Sequence, residues 1–169
     1  MSEVNTDCLI CSMEQAEDSR VLFRDRLWAA EVVPGYEVPG WFILRIRRHA
    51  ERLGGLEDEE LASFAFRARD LVAAVSRVTD APATYLMMFG ENYPHFHVLI
   101  AARGEEIAAD RRTGDILKLR LEKADPEAAV ALVPLIRRAY ASIISDRSAE
   151  IDPLGQRMDR FAASPTTTL

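Results

Sequence analysis

Apolar and polar residues change their spacing several times along this chain. In "RVLFRDRLWAAEVVPGYEVPGWFILRI", residues 20–46, β-branched and aromatic residues recur between turn signals at Arg26, Pro34-Gly35 and Pro39-Gly40. That pattern predicts three short strands in an antiparallel meander. From Glu57 to about Thr79 the period lengthens: Leu61, Phe64, Ala68, Leu71, Val72, Val75 and Val78 fall at helical spacing. The acids Glu57, Asp58, Glu59 and Glu60 would sit at the positive end of that helix dipole. After Asp80-Ala81-Pro82, "TYLMMF" and "HFHVLIAA" read as adjacent strands joined by a tight connection through "GENYP". A further run, "ILKLRLEK" at 116–123, alternates apolar with charged and predicts a strand with one wet face. Asp125-Pro126-Glu127 supplies an N-cap, a first-turn proline and an early acid, opening a helix to about Ile144. Periodicity is lost beyond Ser148, and "ASPTTTL" reads as a loose end.

Strands, helix, strands and helix in that order give an α+β class, with helices packed against an antiparallel sheet. A chain of 169 residues can bury one adequate core, so a single domain over 1–148 and a flexible tail over 149–169 are expected. The 49% hydrophobic and 28% charged content is that of an ordinary globular protein. A formal net charge of -6 argues against a sequence-independent nucleic-acid binder, which needs a basic surface. A local cluster, Arg45, Arg47, Arg48 and Arg52, leaves small anionic ligands open. No apolar stretch reaches the ~20 residues that span a bilayer, and the amino terminus is acidic, so a cytoplasmic protein with no membrane partner is expected.

The chemistry-bearing residues are few. The cysteines are two, Cys8 and Cys11, and in a reducing compartment a C-x-x-C suggests metal or redox chemistry more than a disulfide. A thioredoxin-like role is disfavoured because no βαβ pattern follows. The three histidines are His49, His95 and His97. On a strand, the period of two puts His95, His97 and Leu99 on one face and Phe96, Val98 and Ile100 on the other. Two adjacent imidazoles must then share a polar pocket, a metal or an anionic ligand, because unpaired buried nitrogens are costly.

Taken in order, "CLIC", "VPGWFILRIRRHAERLGGLEDEEL" and "FGENYPHFHVLIAAR" resemble the histidine triad family of nucleotide hydrolases and transferases, over residues 8–103. Pro39-Gly40 precedes Arg47-Arg48-His49 at the family's spacing, and Pro94-His95-Phe96-His97 leads to Arg103 at the family's distance. Counting from Pro94 and from Arg103 makes His95 the first triad position, His97 the central one and Leu99 the third. A register with Tyr93 first and His97 third would misplace Arg103. Two departures stand out: the third histidine is Leu99, and the proline and lysine usual before the mid-chain histidine are Ile46 and Arg47.

The resemblance implies a five-stranded antiparallel sheet with a long helix and a C-terminal helix packed on it, and a homodimer. It implies that His97 attacks the α-phosphorus of a dinucleoside polyphosphate or another nucleotide conjugate. A nucleotidyl-histidine forms and a nucleoside monophosphate is released. Asn92, where some members carry a serine, and Arg103 would contact the substrate. A structural zinc would be held by Cys8, Cys11, His49 and His95, two thiolates and two imidazoles with no position left for a catalytic water. A nucleotidyltransferase using the same intermediate, and a non-catalytic nucleotide-binding module, are the alternatives. Leucine can neither donate to phosphate nor bind metal, and it favours the module.

Overall fold

The computed structural model describes the backbone of residues 8–162 and the side chains of residues 8–147. Three strands come first, as expected: β1 (Val21–Arg24), β2 (Trp28–Glu31) and β3 (Trp41–Ile46). Asp25 closes the first turn, its carboxylate accepting from the amides of Leu27 and Trp28, both at 2.8 Å. Gly40 opens β3 at φ 85°, a region glycine enters without strain. A Cβ there would also stand 2.9 Å from that of Ala102. The glycine therefore serves both the turn and the close approach of β3 to its neighbour.

A short helical turn, α1 (Leu9–Ser12), precedes the strands, and α2 (Asp58–Thr79) follows them. Glu60 closes the start of α2, its carboxylate accepting from the Glu57 amide at 2.8 Å. Strands β4 (Ala83–Met87) and β5 (His97–Arg103) then complete a five-stranded antiparallel sheet in the order β1-β2-β3-β5-β4. The register sets Arg45 opposite His97, Ile43 opposite Leu99 and Met87 opposite Leu99 on the other side. Architecture and class thus agree with the α+β expectation.

Alternation in β3 and β5 divides the interior. Phe42, Leu44, Val98 and Ile100 face the helices, packing with Leu71 and Val75 of α2 and with Val133 and Ile136 further along the chain. The opposite face carries two smaller clusters. One joins Leu99 and Ala101 to Trp41, Ile116 and Leu119; the other joins Ile43 and Val33 to Cys8, Ile10 and Cys11. The amino-terminal turn is thereby seated on the sheet face that His97 shares.

Three expectations change. Residues 116–123 are not a strand: a 3-10 segment (Thr113–Lys118) runs into a helical turn, α3 (Leu119–Glu122). Leucine, lysine, arginine and glutamate are strong helix formers, and Ile116 and Leu119, three apart, bury themselves on the open sheet face rather than at an edge. The last helix, α4 (Pro126–Ala162), passes the expected end near Ile144. The helical backbone continues beyond the point where apolar periodicity in the sequence is lost. Of the expected tail, residues 163–169 lie outside the described residues. Finally, Pro126–Arg147 of α4 is long and apolar enough by composition to cross a membrane, at mean hydropathy 1.4, which the sequence reading did not anticipate. Its alanines raise the mean, while Ala129, Val133, Ile136 and Tyr140 form a stripe packed into the core.

Candidate functional site

Four residues distant in sequence meet where α1 sits on the sheet. Cys8 and Cys11 lie at the start of α1, His49 in the bend after β3, and His95 just before β5. Their ligand atoms all lie within 4.8 Å of one another. Cys11 Sγ is 3.4 Å from the Nδ1 atoms of both His49 and His95, and Cys8 Sγ is 3.6 Å from His95 Nδ1. A tetrahedral zinc with ordinary Zn–S and Zn–N bonds requires S···N edges of about 3.6 Å. The donor set and its spacing fit that ion. No disulfide joins the two cysteines.

A backbone contact prepares His95 for this role. His95 is fully buried, and its Nε2 donates to the Ile46 carbonyl at 2.7 Å, which leaves Nδ1 with a lone pair aimed at the thiols. Burial drives the His95 pKa down to about 4, so the ring is neutral, the form a metal needs. His49 meets His95 edge to face with ring centroids 5.2 Å apart. Arg48, beside it, is fixed by hydrogen bonds to Glu60 at 3.0 and 2.7 Å.

His97 opens β5 one strand period away and points elsewhere. Its Nδ1 donates to the His95 carbonyl at 2.6 Å, so Nε2 keeps the lone pair. Burial lowers its pKa, and the ring is a neutral imidazole at pH 7. It lines a cavity of about 750 Å³, walled by Leu9 and Ile10 of α1, Ile43 and Leu99 of the sheet, Asn92 and Tyr93 of the 88–96 connection, and Leu117, Lys118 and Arg120. That volume is within the usual range for small-molecule sites. Leu9 and Ile10 are the residues between the two cysteines, so the Cys/His cluster and the cavity share a wall.

The sequence-derived set is mostly brought together. Cys8, Cys11, His49 and His95 form the cluster; His97 and Asn92 line the cavity, with Leu99 beside them. Arg103 does not join them. It ends β5 six residues on, about 20 Å of strand away, pairs in register with Ala83, and its guanidinium donates to the Gly104 carbonyl at 3.1 Å. Of the arginine cluster, Arg52 is exposed, but the other three are tied up in internal ion pairs. Arg45 is bound to Glu31 at 2.5 Å and to Glu14 at 2.9 Å, Arg47 to Glu14 at 2.9 and 3.0 Å, and Arg48 to Glu60. Burial would raise the Glu14 carboxyl, but hydrogen bonds from Arg47 and Arg45 outweigh it and hold the pKa at about 2.

Sequence reasoning missed Glu14, which ties the amino-terminal turn to β3, and it missed Tyr36 and Arg120 on the cavity wall. Arg120 was hidden by the expectation of a strand over 116–123. Glu14 had no signal, because an acid after a C-x-x-C looks like any exposed residue.

No family model and no curated protein matches the sequence. Solved structures do. A hypothetical histidine triad nucleotide-binding protein from Sulfolobus tokodaii superposes with a TM-score of 0.63 at 20% identity, over 80% of this chain and 93% of that one. The chain has the histidine triad fold. A zinc-bound histidine triad protein from Mycobacterium smegmatis matches with a TM-score of 0.59 at 19% identity, covering 82% of this chain and 96% of the other. The diadenosine triphosphate hydrolase of Plasmodium falciparum, in complex with cyclomarin A, shares the fold at 12% identity and a TM-score of 0.57, over 75% of this chain and 79% of that one. Within this histidine triad fold, the C-x-x-C turn packs on the face that carries His97.

Proposed function

We propose that this chain is a histidine triad protein that holds one structural zinc and cleaves nucleotide conjugates at the α-phosphate. The observation that carries the reading is the orientation of His97: a hydrogen bond from Nδ1 to the His95 carbonyl leaves Nε2 as the unprotonated atom of a ring on a nucleotide-sized cavity. Nε2 attacks the phosphorus, a P–N bond forms, and the bond to the leaving group breaks with its electron pair departing. Water then displaces the histidine, releasing a nucleoside monophosphate. Splitting one displacement into two steps is the advantage of the covalent route, and positioning is most of what phosphoryl transfer requires. Asn92 contributes an amide donor at the mouth of the cavity.

Cys8, Cys11, His49 and His95 would hold the zinc, whose contribution is structural charge neutralisation and cross-linking. Those residues keep the Leu9-Ile10 wall against the sheet and the His95 carbonyl beside His97. Two cysteines kept as thiolates suit a reducing cytoplasm, and a homodimer taking neither nucleic acid nor membrane as partner completes the reading.

A second reading, nucleotide binding without turnover, is favoured by Leu99, which stands where a third donor would face the substrate phosphate. The deciding experiment is incubation with a panel of adenylated and guanylated conjugates, with and without added phosphate or sugar phosphate. Mass spectrometry would follow the products and a nucleotidyl adduct on His97. Adduct and monophosphate support hydrolysis, and nucleotide transfer to the added acceptor marks a transferase. Bound nucleotide without either product leaves the module.

A further inference from the structure

The cavity wall carries two cations with different circumstances. Lys118 is ion-paired with Asp115 and points outward from an exposed position. Arg120 is half-buried, its guanidinium lies over the Tyr36 ring at 4.8 Å from the centroid, and one of its nitrogens donates to the Tyr36 hydroxyl. No carboxylate pairs with Arg120 among the described residues. The two acids on the same wall do not meet it: Glu122 is bound by Arg111 at 2.6 Å, and Glu91 lies in the exposed stretch 88–92.

We infer that Arg120, held over Tyr36, is the phosphate clamp of this cavity, taking over part of the role that a donor at position 99 would fill. The inference rests on the nucleotide reading above and specifies its anion contact. A guanidinium carries five N–H donors in a rigid fork. Tyr36 occupies one of them and holds the guanidinium over its ring, so the rest are left for the cavity at little further cost in side-chain entropy. Leaving a half-buried cation without a counter-charge is unfavourable, and a phosphate supplies both the charge and the bidentate geometry. Leu99 and Leu117 around it exclude water and strengthen the contact. The substrate class follows: an anion with at least two phosphates, one at His97 and the next on Arg120, and an apolar or aromatic body against Leu9, Ile10 and Val33.

The test is calorimetric titration of the zinc-loaded full chain with adenosine, AMP, ADP and inorganic pyrophosphate. Wild type, Arg120→Ala, Arg120→Lys and Arg138→Ala would be compared, the last removing an exposed charge from α4, outside the cavity. Wild-type affinity should rise from adenosine to ADP. Arg120→Ala should lose about 10–100-fold for ADP and pyrophosphate and little for adenosine, Arg120→Lys should recover part of it, and Arg138→Ala should match wild type. Zinc content and melting temperature confirm that each variant is folded; if Arg120→Ala is not, Arg120→Lys and Arg120→Gln carry the comparison. Equal ADP affinity in the folded Arg120 variants and wild type overturns the clamp and leaves the nucleotide reading standing. Pyrophosphate binding that depends on Arg120, without any preference for nucleotides, retains the clamp and overturns that reading. Wild type that binds none of these compounds overturns both.

Discussion

The Cys/His cluster and the cavity share the Leu9-Ile10 wall, yet they are built to different standards. Three of the four groups in the cluster are held from outside it. Cys8 and Cys11 are fixed by α1 and by burial, His95 by a backbone hydrogen bond, and the turn as a whole by Glu14 on Arg45 and Arg47. The cavity is held by hydrogen bonds at His97 and at Arg120 on Tyr36. Around them stand an exposed stretch at 88–92, Leu99, and Leu121, 80% exposed at the rim. Rigidity on one side and open, apolar surface on the other imply that substitutions in the cluster act through stability, while those in the cavity act through binding and rate.

The sharpest break of this contrast is at His97. His97→Ala should lower turnover by on the order of 10⁴-fold or more, since a lost nucleophile removes the covalent route. Zinc content and melting temperature should stay near those of wild type. Steady-state kinetics beside a melting curve checks both halves, and retention of most of the rate would dismiss the covalent mechanism.

In the cluster the expectation inverts. Cys11→Ser should cost at least about 2 kcal/mol of stability and lower the melting temperature by more than about 5 °C, because metal binding contributes directly to folding. Metal analysis of protein purified without added metal should give about one zinc per wild-type chain and close to none in the variant. A wild-type chain free of metal with an unchanged melting curve would remove the zinc assignment.

Leu99→His tests whether the cavity lacks only a donor. Restoring one should raise turnover by about 10-fold or more, within the 10²–10³ range that a single oxyanion donor is worth, provided the ring replaces the leucine packing on Trp41. Parallel kinetics on wild type and variant reads this, and a rate no higher than wild type would show that Leu99 is not the limiting feature.

The smallest effect concerns Glu14. Its folded pKa of about 2 lies below the ordinary 4.5, so its contribution is present above about pH 4.5 and lost as pH falls toward 2. Discounted for partial exposure, that is on the order of 1–2 kcal/mol. Acid unfolding of wild type should therefore be steeper below pH 4.5 than that of Glu14→Gln. Parallel acid titrations would show coincident slopes if the carboxylate is not ionised in the folded protein.

Legibility in the sequence follows the range of the forces involved. Strands β1 to β3, helix α2 and the Asp125-Pro126 start of α4 could be read directly, because period, turn residues and capping are local. The same holds for the face that His97 shares with Leu99, since a strand's period of two fixes it, whereas His95 precedes β5. Segment 116–123 was not legible: its alternation suits a strand, but the hydrogen-bonding partner a strand requires is a tertiary matter, and the open sheet face accepted Ile116 and Leu119 from a helical turn instead. The extent of α4 was missed for a related reason, as helical backbone continues where the packing stripe ends.

For the site, the sequence by itself determined the identities and the order of Cys8, Cys11, His49, His95 and His97, and the substitution at Leu99. Only the tertiary structure decided which atoms meet. It left Nδ1 of His95 facing the thiols, turned the lone pair of His97 to Nε2, and removed Arg103 from the cavity by the length of β5. It also drew Arg45, Arg47 and Arg48 into internal ion pairs and, among the described residues, left Arg120 on Tyr36 without one. Pairings between residues 84 positions apart, such as Arg120 with Tyr36 and Cys11 with His95, depend on sheet register and chain crossing, and no local pattern encodes either.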